Sequence, residues 1–399
     1  MDVETAYQCP GEPYEISRSV HLGRLASFYP ACGECTHRDD KEMLSPRRIK
    51  LLGEVHRHVE HTNPLFHREG ISGVYLNEIG PEIARRVGQA LGAALVAPWP
   101  DAEGPPVFIA ADGRPWTAEL AASAADGLRW SGCNVVDLGA ATAPSLALAA
   151  ERHAAAGMLL VGNHSGKSRE VSFSLGGRHR EPMSSPGALD SVRDLFHSPA
   201  PRPPRSFGGI DRLSADSDYL AQFEESYHAL RPLRVLVDTT SPALVGYLER
   251  LTSTVAAEIE CLSGASLESA RIAERVRAAR GHFGIWIDGD GEACRLFDER
   301  GELVAIDALV ALIMQEILVE RPEARIIPTM GSSTRQSIWT AFRGERASFA
   351  ADRDGRIWYA GTPTCADALW TITRLLTLLS RGDQPLSELI ASATIGMSK

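Results

Sequence analysis

The chain has 399 residues, 44% of them hydrophobic and 23% charged, and its formal net charge is −10. This length accommodates two to four domains, and the hydrophobic content excludes a globally disordered chain. The acidic balance argues against nucleic acid or an anionic membrane as the main partner. No uninterrupted apolar stretch approaches the ~18 residues of a membrane span.

The N-terminus and the cysteine content predict a cellular compartment. Residues 1–7 are acidic and lack the apolar stretch of a secretory signal. Seven cysteines, an odd number, indicate reduced thiols or metal ligands rather than a disulfide framework. We therefore expect a cytoplasmic protein.

Residues 1–44 show little periodicity and contain four soft metal-ligand candidates, which are Cys9, His21, Cys32 and Cys35. The Cys-x₂-Cys spacing of the last two is typical of a tetrahedral Zn²⁺ site. His37 competes with His21 for the fourth position, and unpaired cytosolic thiols are the alternative. The segment has too few apolar residues to bury a core, so we predict a small zinc-ribbon-like module held by structural zinc.

From Ser45 onwards the chain alternates between helical and strand patterns. Ser45 and Pro46 mark the start of a helix that extends to about residue 56. The next predicted elements are a helix over 81–95, a strand over 107–111, a helix over 118–130, a strand over 134–138, a helix over 145–155 and a strand over 157–161. This alternation predicts α/β layers with mixed, largely parallel sheets.

A proline-rich spacer over 199–205 divides this first unit from a second one. The later elements are strands over 234–238, 258–261, 284–287 and 325–328, and helices over 242–252, 307–320 and 365–379. The pattern predicts three successive α/β units, over residues 45–205, 206–303 and 304–399.

Two polar loops follow predicted strands. The strand over 157–161 leads into Asn163-His164-Ser165, and the strand over 284–287 leads into Asp288-Gly-Asp-Gly-Glu292. Polar loops at the carboxyl ends of parallel strands are the usual place for a ligand site. The carboxylates at 288, 290 and 292 alternate around glycines, so all three could converge on one hard cation. An acidic surface turn without metal is the alternative.

The two loops resemble those that define the α-D-phosphohexomutases, the phosphoglucomutase and phosphomannomutase family. There the first loop reads Thr-Ala-Ser-His-Asn-Pro with a phosphoserine, and the second reads Asp-Gly-Asp-Gly-Asp-Arg and holds Mg²⁺. Three further segments resemble family motifs in the same order along the chain, namely 66–73, 110–114 and 139–144. The resemblance extends over most of residues 66–385.

The resemblance implies phosphoryl transfer between a sugar phosphate and an enzyme serine, but the serine position is Asn163, followed by a retained His164. An amide cannot form the phosphate ester that the reaction requires. Ser165 is a possible surrogate, although two residues of extended chain displace a side chain by ~6–7 Å. The resemblance also implies that Asp288, Asp290 and Glu292 bind Mg²⁺, weakly because the phosphoserine ligand is missing.

The resemblance assigns substrate binding to Asp112 and Arg114, and to a third-unit loop where Arg353 and Arg356 are candidates. Solvated loop charges are the alternative for the last two. The arginine that follows the family's metal loop is Ala293 here. We also expect the family's fourth domain, which cradles the distal phosphate of the sugar, to be absent.

These substitutions lie at the positions of chemistry, whereas the scaffold and the carboxylates persist. We therefore expect a catalytically impaired relative of a hexose-phosphate intramolecular phosphotransferase, with a role in sugar-phosphate binding, regulation or assembly. The alternative is an active phosphohexomutase that uses Ser165 and another chain for the distal phosphate. The expected partners are a hexose phosphate and, in the first case, a protein or a second copy of the chain.

Overall fold

The protein is described by a computed structural model of residues 7–9, 13–26, 29, 32, 35–41, 44–49, 65–97, 105–167, 169–199, 207–228, 230–253, 255–263, 269–330, 335–360 and 365–397. The chain forms two compact units, one of residues 1–65 and 72–80 and the other of residues 66–71 and 81–399. None of the helices in the described ranges has both the length and the apolar character needed to cross a membrane.

In the N-terminal unit, β1 (Tyr7–Gln8) pairs antiparallel with β2 (Glu15–Ile16), and α1 (Arg18–Ala26) follows. The predicted cap of the next helix is present, since the Ser45 hydroxyl accepts a hydrogen bond from the Arg48 N–H at 3.3 Å. Residues 50–56 of that predicted helix lie outside the described residues. The predicted zinc-ribbon-like module is not confirmed by this arrangement.

A sheet of seven strands has the order β3-β4-β8-β7-β5-β6-β9. Their bounds are β3 Phe66–His67, β4 Gly70–Val74, β5 Pro106–Ala111, β6 Asn134–Ala140, β7 Gly157–Gly162, β8 Glu170–Gly176 and β9 Ile210–Arg212. The central strands β7, β5 and β6 are parallel, and β8 runs antiparallel beside β7. Their apolar side chains are buried, as expected for a sheet covered on both faces.

The helices of this part are α2 Pro81–Val96, α3 Pro115–Trp130, α4 Ala143–Arg152, α5 Ala188–His197 and the short α6 Asp216–Leu220. The first two approach closely through glycines. A Cβ added at Gly88 would lie 2.0 Å from the Ala124 carbonyl oxygen, and one at Gly127 would lie 2.1 Å from the Arg85 carbonyl oxygen. Any larger residue at either position would therefore separate the two helices.

Two smaller sheets follow, one with the order β11-β10-β12-β13 and one with the order β14-β15-β16. Their strands are β10 Arg234–Thr239, β11 Glu258–Ser263, β12 Phe283–Ile287, β13 Cys294–Phe297, β14 Ile326–Met330, β15 Phe349–Asp352 and β16 Ile357–Tyr359. Their helices are α7 Pro242–Thr252, α8 Ser269–Ala279, α9 Ile306–Glu320, α10 Arg335–Glu345, α11 Ala368–Ser380 and α12 Leu386–Met397. One apolar cluster contains side chains from both sheets, so these two parts of the chain share a core.

The predicted mixed α/β architecture with parallel sheets is confirmed. The strongly apolar elements were placed within a few residues of their bounds, and the helix over 242–252 has its predicted bounds. The sequence reasoning missed the strands β8, β13 and β16, each of which pairs antiparallel with a neighbour, the strand β15, and the helices α5, α8, α10 and α12. The first sheet continues past the predicted boundary at residue 205, because β9 pairs with β6.

Candidate functional site

The first polar loop, residues 163–167, follows β7 and is organised by the Asn163 side chain. Its Nδ2 donates to the Lys167 carbonyl oxygen at 2.7 Å and to Thr240 Oγ1 at 3.4 Å. Its Oδ1 lies 3.0 Å from Ser165 Oγ and accepts from the Gly166 N–H at 3.1 Å. With 1% of its surface exposed, this amide is a structural part of the loop.

The carboxylate loop, residues 288–292, follows β12 and contacts the first loop directly. Asp290 Oδ1 accepts from the Asn163 N–H at 2.7 Å, and the Gly289 N–H donates to the Asn163 carbonyl oxygen at 2.8 Å. A Cβ added at Gly162 would lie 2.0 Å from Asp290 Oδ1. The glycine before the first loop therefore lets the two loops meet.

The three carboxylates have separate protein donors. Asp288 Oδ1 accepts from the Glu292 N–H at 2.8 Å, Asp290 Oδ2 accepts from Ser174 Oγ at 3.1 Å, and Glu292 Oε1 accepts from Cys365 Sγ at 3.1 Å. All three residues are buried. These donors hold one oxygen of Asp288 and one of Glu292, and Asp290 is held through both of its oxygens.

Arg335, the first residue of α10, lies against this loop. Its Nη2 is 2.8 Å from Glu292 Oε2 and 4.0 Å from Asp290 Oδ2, and its Nη1 donates to Ser174 Oγ at 3.3 Å. Its backbone N–H donates to Glu69 Oε1 at 2.6 Å. An internal guanidinium thus compensates part of the negative charge of the carboxylate loop.

Burial and mutual repulsion perturb the titration of the loop. Burial, followed by the charges of Asp290 and Glu292, raises the pKa of Asp288 well above its ordinary value. Burial also raises the pKa of Glu292, against the opposing effect of Arg335. Although burial acts to lower it, the surrounding carboxylates hold the pKa of Arg335 above its ordinary value, so this side chain stays a cation.

The residues present do not fit a Mg²⁺ ion bound by all three carboxylates. Mg²⁺ needs near-octahedral oxygen ligands at about 2.0–2.1 Å, and the Arg335 guanidinium already lies beside the oxygens of Asp290 and Glu292. Among the described residues, no group of three or more His, Cys, Asp or Glu side chains has the geometry to hold a metal ion. The structure thus gives the Mg²⁺ prediction no support.

The absence of a metal-binding group among the described residues also applies to the four N-terminal zinc candidates. Cys9 Sγ accepts a hydrogen bond from Arg24 Nη1 at 3.0 Å, and the ring of His21 stacks on Tyr7 with 4.2 Å between centroids. Burial, then the nearby thiols of Cys9 and Cys35, raises the pKa of the Cys32 thiol to about 11. These side chains are neighbours, but they do not converge as a tetrahedral site requires.

Asp112 and Arg114 lie beneath the first loop and are buried. Arg114 Nε donates to Asp112 Oδ2 at 2.6 Å, and Arg114 also donates to the carbonyl oxygens of Gly162 and Glu170, both at 2.9 Å. Those carbonyls flank the loop on either side. In this structure the pair therefore holds the loop, and neither residue lines the cavity described below.

The third-unit loop, residues 352–356, is also built around an ion pair. Arg356 is buried and donates to Asp352 Oδ2 and to Glu69 Oε2, each at 2.6 Å. Although burial acts to raise it, Arg356 and Arg335 hold the pKa of Glu69 below its ordinary value. The alternative of a solvated loop charge is therefore wrong for Arg356, which is buried, whereas Arg353 is exposed.

These loops border a cavity of about 500 Å³. Its lining includes His164, Ser165, Trp286, Asp288, Arg335 and Arg353. The size lies in the range of small-molecule sites, and the mixture of one aromatic wall with guanidinium groups suits a phosphorylated polar ligand. Sequence reasoning named four of these six residues, and missed Trp286 and Arg335.

Ser165 faces this cavity with a carboxylate partner that the sequence analysis missed. Its hydroxyl donates to Glu170 Oε2, and Lys167 Nζ lies 3.4 Å from the same oxygen. Although burial acts to raise it, these contacts hold the pKa of Glu170 below its ordinary value, so the carboxylate is ionised. A serine hydroxyl beside an ionised carboxylate is an arrangement that could serve nucleophilic chemistry.

Comparisons with known proteins agree with this geometry. A family model described as "Phosphoglucomutase/phosphomannomutase, alpha/beta/alpha domain I" matches residues 63–170. Similar proteins include the phosphoglucosamine mutases of Symbiobacterium thermophilum and Frankia alni. The first is 25% identical over 82% of this chain and 80% of the relative, and the second is 26% identical over 83% and 81%.

Solved structures show the same fold. A phosphoglucomutase/phosphomannomutase family protein from Burkholderia thailandensis matches with a TM-score of 0.71 and 20% identity, over 82% of this chain and 78% of that chain. Parafusin from Paramecium, a phosphoglucomutase, matches with a TM-score of 0.65 and 13% identity, over 84% and 74%.

Proposed function

Because the chain belongs to the α-D-phosphohexomutase superfamily, we propose that it binds a hexose phosphate in the cavity beside Arg335 and has lost efficient mutase turnover, so that its role is binding, regulation or assembly. The two sequence relatives described above are phosphoglucosamine mutases, so a hexosamine phosphate is the ligand to test first. The observation that supports the proposal most is that the Asn163 side chain is buried and hydrogen-bonded within its loop.

Asn163 occupies the position of the family's phosphoserine and is committed to the loop. Both ends of its amide take part in hydrogen bonds, and its surface is 1% exposed. An amide in this setting offers no alcohol for an ester and no exposed atom for attack. Family chemistry at this residue is therefore not expected.

The cavity retains groups suited to ligand binding. Arg295 and Arg353 border it and are exposed, and Arg335 extends to its wall. Guanidinium groups bind phosphate oxygens through paired hydrogen bonds. Trp286 offers an apolar face on which a sugar ring can pack.

The Ser165–Glu170 hydrogen bond favours a second candidate function, an active phosphohexomutase. In that case Ser165 Oγ attacks the phosphorus as its proton passes to Glu170, the bond from phosphorus to the sugar oxygen breaks, and that oxygen takes up a proton to leave as the sugar hydroxyl. This reaction needs Ser165 to reach a phosphoryl group that the family places at residue 163.

One set of measurements separates the two candidates. We expect saturable calorimetric binding of glucosamine 6-phosphate, weakened by Arg353→Gln but not by Arg343→Gln, a control on the exposed face of α10. In a coupled assay we expect turnover on the order of 10³-fold or more below that of a mutase with its nucleophile intact. Asn163→Ser should not restore turnover, because the variant supplies only an alcohol and leaves the other substituted positions of the substrate site as they are.

Incubation with glucose 1,6-bisphosphate and intact mass measurement complete the test. Under the first candidate the mass is unchanged. A stable gain of one phosphate that disappears in Ser165→Ala but persists in Ser145→Ala, a buried serine of α4, would establish the second candidate. No binding of any hexose phosphate would contradict both.

We retain zinc binding by Cys9, His21, Cys32 and Cys35 as a proposal for the N-terminal segment. It is supported by the spacing of the cysteines and by His21 Nε2, which is buried and has no hydrogen-bond partner among the described residues. Its formation would require these side chains to move together around the ion. A protein partner, the cytoplasmic location and the domain boundaries also stay predictions.

We expect one zinc per chain by elemental analysis of protein purified without chelator, and less than half of it in Cys32→Ser. Cys261→Ser, which changes a thiol in β11, should retain the metal. Chelation should leave the unfolding transition of the α/β part unchanged, because that part has its own core. Zinc-free wild type, or full zinc in Cys32→Ser, would show that the four residues are free thiols and an ordinary buried histidine.

A further inference from the structure

Arg335 occupies a position between elements that are distant in sequence. Its side chain is 11% exposed, and it contacts Glu69, Ser174, Asp290 and Glu292. The first two lie beside or on strands of the seven-stranded sheet, and the last two belong to the carboxylate loop. A buried arginine with three acidic neighbours is costly to place unless its charge is needed there.

The charge is needed because the carboxylate loop is buried. Asp290 and Glu292 are 0% and 5% exposed, and Asp288 is 1% exposed. Buried carboxylates destabilise the folded state unless they are protonated or lie beside a counter-charge, which can be a bound cation or a cationic side chain. Arg335 supplies the second.

We propose that the Arg335 guanidinium is the permanent counter-ion of the carboxylate loop and replaces a divalent cation, so that this site is metal-independent. Its Nη2 holds the position beside Asp290 Oδ2 and Glu292 Oε2 that a shared cation would need. The remaining oxygen of Asp290 accepts from the Asn163 N–H at 2.7 Å.

The chemistry of the two cations explains why they exclude each other. Mg²⁺ requires short oxygen contacts and holds its water strongly, which suits an open acidic loop. Guanidinium is planar, weakly hydrated and able to serve several acceptors at once, which suits a closed and buried one. Arg335 also links the loop to Ser174 through Nη1 and to Glu69 through its backbone N–H.

The role of Arg335 as counter-ion rests on the proposed function and deepens it, because a pocket with its own cationic side chain can bind a sugar phosphate without a metal ion. The test of this role measures divalent-ion binding without any sugar. A result that contradicts the role of Arg335 therefore leaves the proposed hexose-phosphate binding untouched. Failure of sugar binding likewise leaves the role of Arg335 untouched.

The experiment removes Arg335 and looks for a gained metal site. Chelator-treated wild type, Arg335→Met and Arg343→Met are titrated with Mg²⁺ by calorimetry and with Mn²⁺ by electron paramagnetic resonance of the free ion. Arg343 is a matched control on the same helix, exposed and stacked on Trp339 at 5.0 Å. We expect no saturable site in wild type or Arg343→Met, and one site per chain in Arg335→Met.

The gained site should bind Mn²⁺ at least about tenfold more tightly than wild type does, and Mg²⁺ should raise the melting temperature of Arg335→Met alone. The double variant Asp290→Asn/Arg335→Met should lose the gain. A folded Arg335→Met with no gained site would overturn the proposal, as would a saturable wild-type site that Asp290→Asn abolishes. Should Arg335→Met fail to fold, that wild-type titration decides by itself.

Discussion

Arg114→Met should lower the free energy of unfolding by about 3–5 kcal/mol, the range for breaking a buried ion pair by removing one partner. The side chains of Arg114 and Asp112 are 6% and 0% exposed. Without the guanidinium, Asp112 becomes an uncompensated buried carboxylate, and burial already raises its pKa. The carbonyls of Gly162 and Glu170 also lose their donor. Urea unfolding followed by far-UV circular dichroism measures the change.

Two controls separate charge burial from general damage. Arg353→Gln, at an exposed position, should change stability by less than about 0.5 kcal/mol. Asp112→Asn/Arg114→Met removes both charges and should recover part of the loss, as a double-mutant cycle can quantify. A double variant whose loss equals the sum of the two single losses would show that Arg114 acts mainly through the loop carbonyls.

Asp367→Asn should remove a pH dependence of stability worth about 3 kcal/mol between pH 5 and pH 8. Asp367 caps α11 by accepting from the Leu369 and Trp370 N–H groups, and Tyr219 Oη donates to its Oδ2 at 2.9 Å. Burial nevertheless raises its pKa to about 7. The folded protein thus holds a proton that the unfolded chain releases near pH 4.

The direction of this pH dependence follows from the proton that Asp367 holds in the folded protein. The contribution of Asp367 is fully present below about pH 4 and is lost as the pH rises through 7, at about 1.4 kcal/mol per pH unit. Wild type should therefore lose stability relative to Asp367→Asn across this window. Tyr219→Phe, which removes a donor to the carboxylate, should move the decline to higher pH. Parallel pH profiles for wild type and Asp367→Asn would contradict the assignment.

The sequence alone determined the architecture and the two central loops. Apolar strands such as β5 and β10 and the apolar helices α7 and α11 are long and strongly patterned, so local reading found them. The glycines and polar residues after β7 and β12 marked the loops, because ligand-site loops follow the carboxyl ends of parallel strands. The assignment of Asn163 to the family's serine position rests on the resemblance and stays a prediction.

Only the tertiary structure decided what surrounds those loops. Arg335 begins a polar helix, and nothing in its local pattern distinguishes it from a solvated arginine. Its role arises because α10 delivers it to carboxylates more than 40 residues earlier in the chain, and to Glu69, which lies further away still. From the sequence, Asp112 and Arg114 were likewise predicted to contact a ligand, and only their burial indicated that they hold the first loop. Burial and long-range pairing depend on the packing of the whole fold, whereas periodicity reports only neighbours along the chain.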